Sequence, residues 1–382
     1  MIQASENHNP MRICLIVNQI AAWGKIGGFG VNARRLGRGL VAQGVEVHVV
    51  VPQRAGQDRL ETLDGMTIHG QSSREVFFGR KIYRQIDADI YHLCEPNIAG
   101  FNAQRACPDK IHLVTSMNPR NHEVWRTELA SAVWSRKIKI PFQWAYEDSP
   151  PVRRAIKKAH GVYAEAEFLR DVAQDFYRLA QRPGLLPKPV PIPEGPFQKS
   201  ERPLCVFLGR FDGAKRPERF FQLVSQLPEV DFIAIGRSHE ASHQKHLEER
   251  YFHLPNLTVS GDFIDQFQDN TLDNILARAW ILVHTGPREG LATSFQEASA
   301  REMAILAYVN PGNYVRRFGK VVPDDGGTDT MAAALQSLIH SGGWRKMGKQ
   351  GRAWNLANHS VQHSVEEHMK VYRGHLEQQR GG

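Results

Sequence analysis

Two glutamates, Glu289 and Glu297, stand with seven residues between them in the stretch GPREGLATSFQEASA. A carboxylate accepts hydrogen bonds from two neighbouring hydroxyls, such as the 2′ and 3′ hydroxyls of a ribose. The amides after Gly290, from Leu291 onward, lie at the start of a predicted helix over 293–303, where they can meet a phosphate. A second stretch, GRFDGAKRP, puts Arg210 at the end of a strand and Lys215 five positions on, before a helix. An arginine fork grips two phosphate oxygens and a lysine adds a compact charge, so a diphosphate suits the pair. A third, KIGGFG, sets Lys25, Gly27 and Gly28 between a strand and a helix. Missing Cβ atoms there let a backbone approach an anion closely. Each signal has a plainer reading: a turn that needs glycine, a solvated basic loop, a buried or capping acid. A buried glutamate still requires a partner.

The elements that must position these residues alternate. MRICLIV (11–17) reads as a buried strand, the segment after KIGGFG as a helix, and VEVHVVVP (45–52) as the next strand. That is a βαβ unit, hence a parallel sheet. ADIYHLCE, KIHLVTSM and HGVYAEA continue the series; residues 121–159, with Trp125, Trp134 and Trp144, read as a helical insertion. QRPGLLPKPVPIPEGP (181–196) holds six prolines and reads as a connection between domains. LCVFLGRF, VDFIAIGR, WILVHT, AILAYV and GKVVPDD then restart the alternation, and the last segments look helical. The expected division is a polar leader over 1–10, an N-terminal Rossmann-like domain over 11–190, a C-terminal one over 191–360, and a terminal helix over 361–382. Two α/β/α halves joined this way imply a cleft, with ligands beyond the carboxyl ends of the strands.

The 382 residues suit two domains. The leader MIQASENHNP has no basic end or apolar run, so it is not a signal peptide, and no stretch is apolar enough to span a membrane. Cys14, Cys94, Cys107 and Cys205 show no metal-site spacing and fit a reduced, cytoplasmic protein. A formal charge of +8 favours an anionic partner without choosing among nucleotide, phospholipid and nucleic acid. Asp87 and Asp89 form a DxD before a strand, where such acids are ordinary turn residues. SRKIKI (135–140) beside tryptophans suits a membrane interface, an aromatic-lined sugar site or a solvated helix end.

The motifs together resemble the retaining glycosyltransferases of family 4, which have the GT-B fold and include bacterial mannosyl- and glucosyltransferases and sucrose- and glycogen-type synthases. Glu289 and Glu297 match the family's E-x7-E motif, Arg210 and Lys215 its diphosphate-binding pair, KIGGFG its lysine-x-Gly-Gly loop, and ADIYH a strand ending in histidine. The likeness covers roughly residues 11–376. It implies transfer of a hexose from a UDP- or GDP-linked sugar to a hydroxyl of a carbohydrate, lipid-linked or other acceptor, with retention at the anomeric carbon and no metal or other cofactor. It places Glu289 at the donor sugar, Glu297 on ribose, and Arg210 and Lys215 on the leaving phosphate. It also implies a cytoplasmic monomer or homodimer, with peripheral contact at the inner face of the membrane as one option.

The chain departs from the family pattern in places. Met117 stands where many members have a histidine near the sugar's 6-hydroxyl, with Asn118 and Arg120 as nearby substitutes. Glu194, Glu302 and Ala304 are also unusual. These imply an atypical donor or acceptor, or a diverged site. The rival readings are a basic nucleic-acid-binding protein, a DNA-modifying glycosyltransferase, and a UDP-sugar epimerase of the same fold. No nucleic-acid module or pyridoxal-phosphate motif is visible.

Overall fold

A computed structural model describes residues 10–24, 27–117, 119, 126, 139–260, 266–325 and 327–381. Two compact units form, one from Met1–Pro189 with Val361–Gly382, the other from Val190–Ser360. Both are α/β units with parallel, Rossmann-like sheets.

Among the described residues, the first unit holds eight strands: β1 (Arg12–Ile16), β2 (Glu46–Pro52), β3 (Leu60–Leu63), β4 (Met66–Gln71), β5 (Ile90–Leu93), β6 (Ile111–Ser116), β7 (Gly161–Ala164) and β8 (Gly184–Leu185). Their order is β3-β4-β2-β1-β5-β6-β7-β8, and all pairs are parallel except β3 with β4. Val47, Val49 and Val51 on one face of β2 and Val50 on the other are buried, as expected of a strand covered on both faces. The helix Gly28–Ala42 carries Leu36 and Leu40 into the core beside Val365, Met369 and Tyr372 of the terminal helix Val361–Gly381. His92 of β5 is buried between Tyr372, 2.7 Å from its Nδ1, and Thr115, 2.8 Å from its Nε2. Burial, then the charge of His368, pushes this imidazole well below its usual pKa, so it stays neutral.

The second unit holds β9 (Leu204–Leu208), β10 (Asp231–Ile235), β11 (Leu257–Ser260), β12 (Ile281–His284), β13 (Ala304–Ala307) and β14 (Gly319–Val321). They run parallel in the order β11-β10-β9-β12-β13-β14. β9 and β12 are therefore neighbours, although 72 residues separate Leu208 from Ile281. The core behind them packs Phe207, Phe211, Phe220, Phe221 and Phe232, with Trp280 stacked on Trp344 at 4.5 Å.

Two expectations change. The helix expected over 293–303 spans Thr293–Ala300. Glu302 adopts a left-handed φ of 58°, and Met303 N bonds Ala298 O at 3.1 Å, which closes the helix. The helix Gly343–His359 packs there because Gly348 has no Cβ, which would overlap the Glu302 carbonyl. Residues 181–196 are not merely a connection. They contribute β8, and Leu186, Lys188 and Val190 are buried. Lys188 Nζ lies 3.1 Å from the buried Glu165, at a cavity of about 20 Å³ also lined by Met117, His92 and His368.

Candidate active site

The carboxyl ends of β9 and β12 bring three of the sequence-derived residues into one corner of the second unit. Lys215 follows β9 and forms an ion pair with Glu289, which follows β12. The turn beyond β12 is also tied to the backbone of the Lys215 loop. Thr285 Oγ1 donates to the carbonyls of Lys215 and Arg216 at 2.8 and 2.9 Å. Gly286 makes this approach possible, since a Cβ there would come 2.8 Å from the Ala214 carbonyl oxygen.

Burial, then the charge of Arg210, brings the Lys215 ammonium down to about 8, with Asp212 opposing. Lys215 is 21% exposed and Glu289 13%. Each therefore depends on the other for compensation, since a poorly hydrated charge is costly without a partner. Arg210 is more open and lies 3.2 Å from Asp212. A diphosphate arriving here would meet two cations whose present partners are carboxylates.

His284, the last residue of β12, escaped the sequence reading. Its Nε2 lies 3.4 Å from the Glu289 oxygen that faces Lys215. The ring is 3% exposed and sits edge-on to Phe295 at 5.1 Å and 89°. Burial, then the Lys215 charge, pushes its pKa well below the usual value, which leaves it neutral. The signal in the sequence was the strand run ILVH itself, ending in a polar ring five residues before Glu289.

Glu297 is the fifth residue of the helix Thr293–Ala300 and only 4% exposed. Its carbonyl accepts from Arg301 Nη1 at 2.9 Å. Gly290 and Leu291 are buried in the segment leading to that helix, whose N-cap, Ala292, supplies no side-chain cap. Gln296, beside Glu297, is fully buried and neither amide atom has a hydrogen-bond partner.

The remaining candidates belong to the first unit or lie outside the described residues. Gly27 caps the helix Gly28–Ala42, and a Cβ on Gly27 would come 3.1 Å from Gln19 Oε1. Lys25, Asn118, Arg120, Trp125, Trp134 and residues 135–138 of SRKIKI lie outside the described residues. Met117 is buried at the end of β6. Asp87 pairs with Lys110 at 2.9 Å and Asp89 accepts from the Arg12 amide at 2.8 Å, both structural uses of the DxD. Among the described residues, no group of three or more His, Cys, Asp or Glu side chains could hold a metal ion. All four cysteines are free and buried. No described helix is long and apolar enough to cross a membrane.

Comparison with known proteins gives consistent results. The family model described as Glycosyltransferase Family 4 matches residues 26–192, and that described as Glycosyl transferases group 1 matches residues 192–354. No curated protein matches the sequence. Among solved structures, the chain is similar to sucrose-phosphate synthase from Thermosynechococcus elongatus, with a TM-score of 0.73 and 17% identity over 96% of this chain and 99% of that one. HepE from Anabaena, solved in complex with UDP, gives a TM-score of 0.69 and 12% identity over 95% and 100%. The catalytic domain of starch synthase IV from Arabidopsis thaliana, bound to ADP and acarbose, gives 0.64 and 13% over 96% and 99%. At these identities the structures speak for the fold alone. With the two models together running from residue 26 to residue 354, the chain belongs to the family 4 glycosyltransferases of the GT-B fold.

Proposed function

We propose that the protein is a retaining glycosyltransferase that moves a hexose from a UDP- or GDP-linked sugar to a hydroxyl acceptor. The observation that carries this reading is the convergence of Lys215 and Glu289 at the ends of two adjacent parallel strands, with Arg210 beside them. In this reading Arg210 and Lys215 bind the diphosphate and stabilise charge that builds on it as the sugar leaves. Removing one such preorganised donor typically costs on the order of 10²–10³ in rate. Glu289 accepts hydrogen bonds from the sugar hydroxyls, and Glu297 accepts from the ribose. The amides from Gly290 and Leu291 onward add donors for phosphate at the helix start. Lys25, Gly27 and Gly28 keep the donor-binding role the resemblance gives them as a separate proposal, tested by Lys25→Ala.

The acceptor hydroxyl attacks the anomeric carbon from the face the diphosphate is leaving. The carbon–phosphate oxygen bond breaks, the new glycosidic bond forms, and the departing phosphate takes the acceptor's proton. No metal or other cofactor takes part in this scheme, because Arg210 and Lys215 oppose the diphosphate charge. The acceptor is a carbohydrate, a lipid-linked sugar or another alcohol. The test is proton NMR of fresh product made from an α-linked donor in the presence of EDTA. An α-linked product is expected. A β-linked product, or activity lost to EDTA and restored by magnesium or manganese, would contradict the proposal.

A further inference from the structure

We propose that His284 is a positioning residue for Glu289, taking over that carboxylate when a diphosphate draws Lys215 away. The proposal rests on the donor-site reading above. Two groups converge on one Glu289 oxygen: the Lys215 ammonium, and His284 Nε2 at 3.4 Å. The lysine makes the bond and the imidazole does not. His284 Nε2 is buried and has no hydrogen-bond partner. A buried polar atom left unpaired is costly, commonly about 1–3 kcal/mol, and calls for an explanation.

The surroundings keep this nitrogen where it is. Phe295 lies edge-on to the ring, and the chain passes so close at Gly286 that a Cβ there would stand 2.9 Å from Nε2. Thr285, next in sequence, is fastened to the carbonyls of Lys215 and Arg216. The imidazole and the lysine loop are thus held in one frame, and the Lys215 and Glu289 side chains meet within it.

Lys215 has two anions to serve. Without nucleotide it neutralises Glu289. A diphosphate offers it several charged oxygens and competes for the same ammonium. Glu289 would then lose its main donor in a site where it is only 13% exposed. A shortening of a few tenths of an ångström brings His284 Nε2 within ordinary bonding distance of the carboxylate. As the neutral tautomer with hydrogen on Nε2, it donates to Glu289 without adding charge. The carboxylate stays ionised and keeps its orientation toward the sugar hydroxyls. His284 does not touch the donor; it acts through Glu289.

The direct test is nitrogen-15 NMR of the histidine rings while UDP or GDP is added, with the His284 signal among the 17 histidines identified by its loss in His284→Gln. A downfield shift of the Nε2 proton on nucleotide binding is expected. Kinetics with UDP-glucose and GDP-mannose supply a second readout. His284→Leu should lower kcat about tenfold to a hundredfold, with nucleotide affinity within about threefold of the native value. His284→Gln, whose amide can stand in for Nε2–H, should recover most of the loss. A residue that merely filled space would instead be rescued by His284→Leu or His284→Phe. Nucleotide binding with an unmoved His284 signal, or a His284→Leu enzyme with native kcat, would overturn the proposal alone. Failure of the native protein to bind either nucleotide would overturn the donor reading and this proposal with it.

Discussion

Lys215 and Glu289, 74 positions apart in sequence, meet in an ion pair at the ends of β9 and β12. The parallel order of the sheet makes this meeting possible, because neighbouring strands deliver their following loops to the same edge. The pair satisfies both charges, and under the proposed function it is what a diphosphate would displace.

The first consequence concerns pH. Lys215 titrates near 8, brought down from its ordinary value by burial and by Arg210. It is charged below that pH and neutral above it. A bound diphosphate favours the charged form, so affinity should be steady from about pH 7 to 8, where the terminal phosphate is fully ionised, and fall above it, approaching tenfold per pH unit. At pH 8 binding should take up about half a proton. Calorimetry in buffers of different ionisation enthalpy measures this uptake directly. Lys215→Arg, which remains charged throughout, should flatten the profile between pH 7.5 and 9.

Glu297 should act mainly through the nucleotide. Under the proposed role its ribose contacts would exist before and during transfer, so Glu297→Gln should raise the donor KM by about tenfold and change kcat much less. Steady-state kinetics decide the point. A native KM with a collapsed kcat would assign Glu297 another role.

Much of this arrangement could be read from the sequence. Runs such as AILAYV marked strands because apolar residues without polar alternation suit a sheet covered on both faces. Arg210, Lys215 and Glu289 stood out because charged residues directly after apolar strands fall at the carboxyl edge. His284 did not, since a histidine closing a buried strand is as readily a core ring. The Glu165–Lys188 pair was also hidden, because its members are 23 positions apart and one lies among prolines. The end of the helix at Ala300 depends on the packing of Gly348 against Glu302, a contact that no local pattern announces.

That hidden pair yields a stability prediction. Glu165 and Lys188 are 5% and 4% exposed, and burial raises the Glu165 pKa against the opposing pull of Lys188. Lys188→Met should cost about 3–5 kcal/mol at pH 8 by stranding a buried carboxylate. Glu165→Gln together with Lys188→Met should recover most of it. With its folded pKa raised, Glu165 binds protons more readily folded than unfolded, so the single variant should regain stability as pH falls toward 5. Urea unfolding at the two pH values checks both statements.

The central claim is that Arg210 and Lys215 hold the diphosphate of a nucleotide sugar. It is tested most directly by titrating UDP and GDP, in EDTA, into the native protein and into the Arg210→Ala, Lys215→Ala double variant, with circular dichroism to confirm that the variant is folded. One nucleotide should bind the native protein, and its affinity should fall at least a hundredfold in the folded variant. Equal affinity in the two proteins would contradict it.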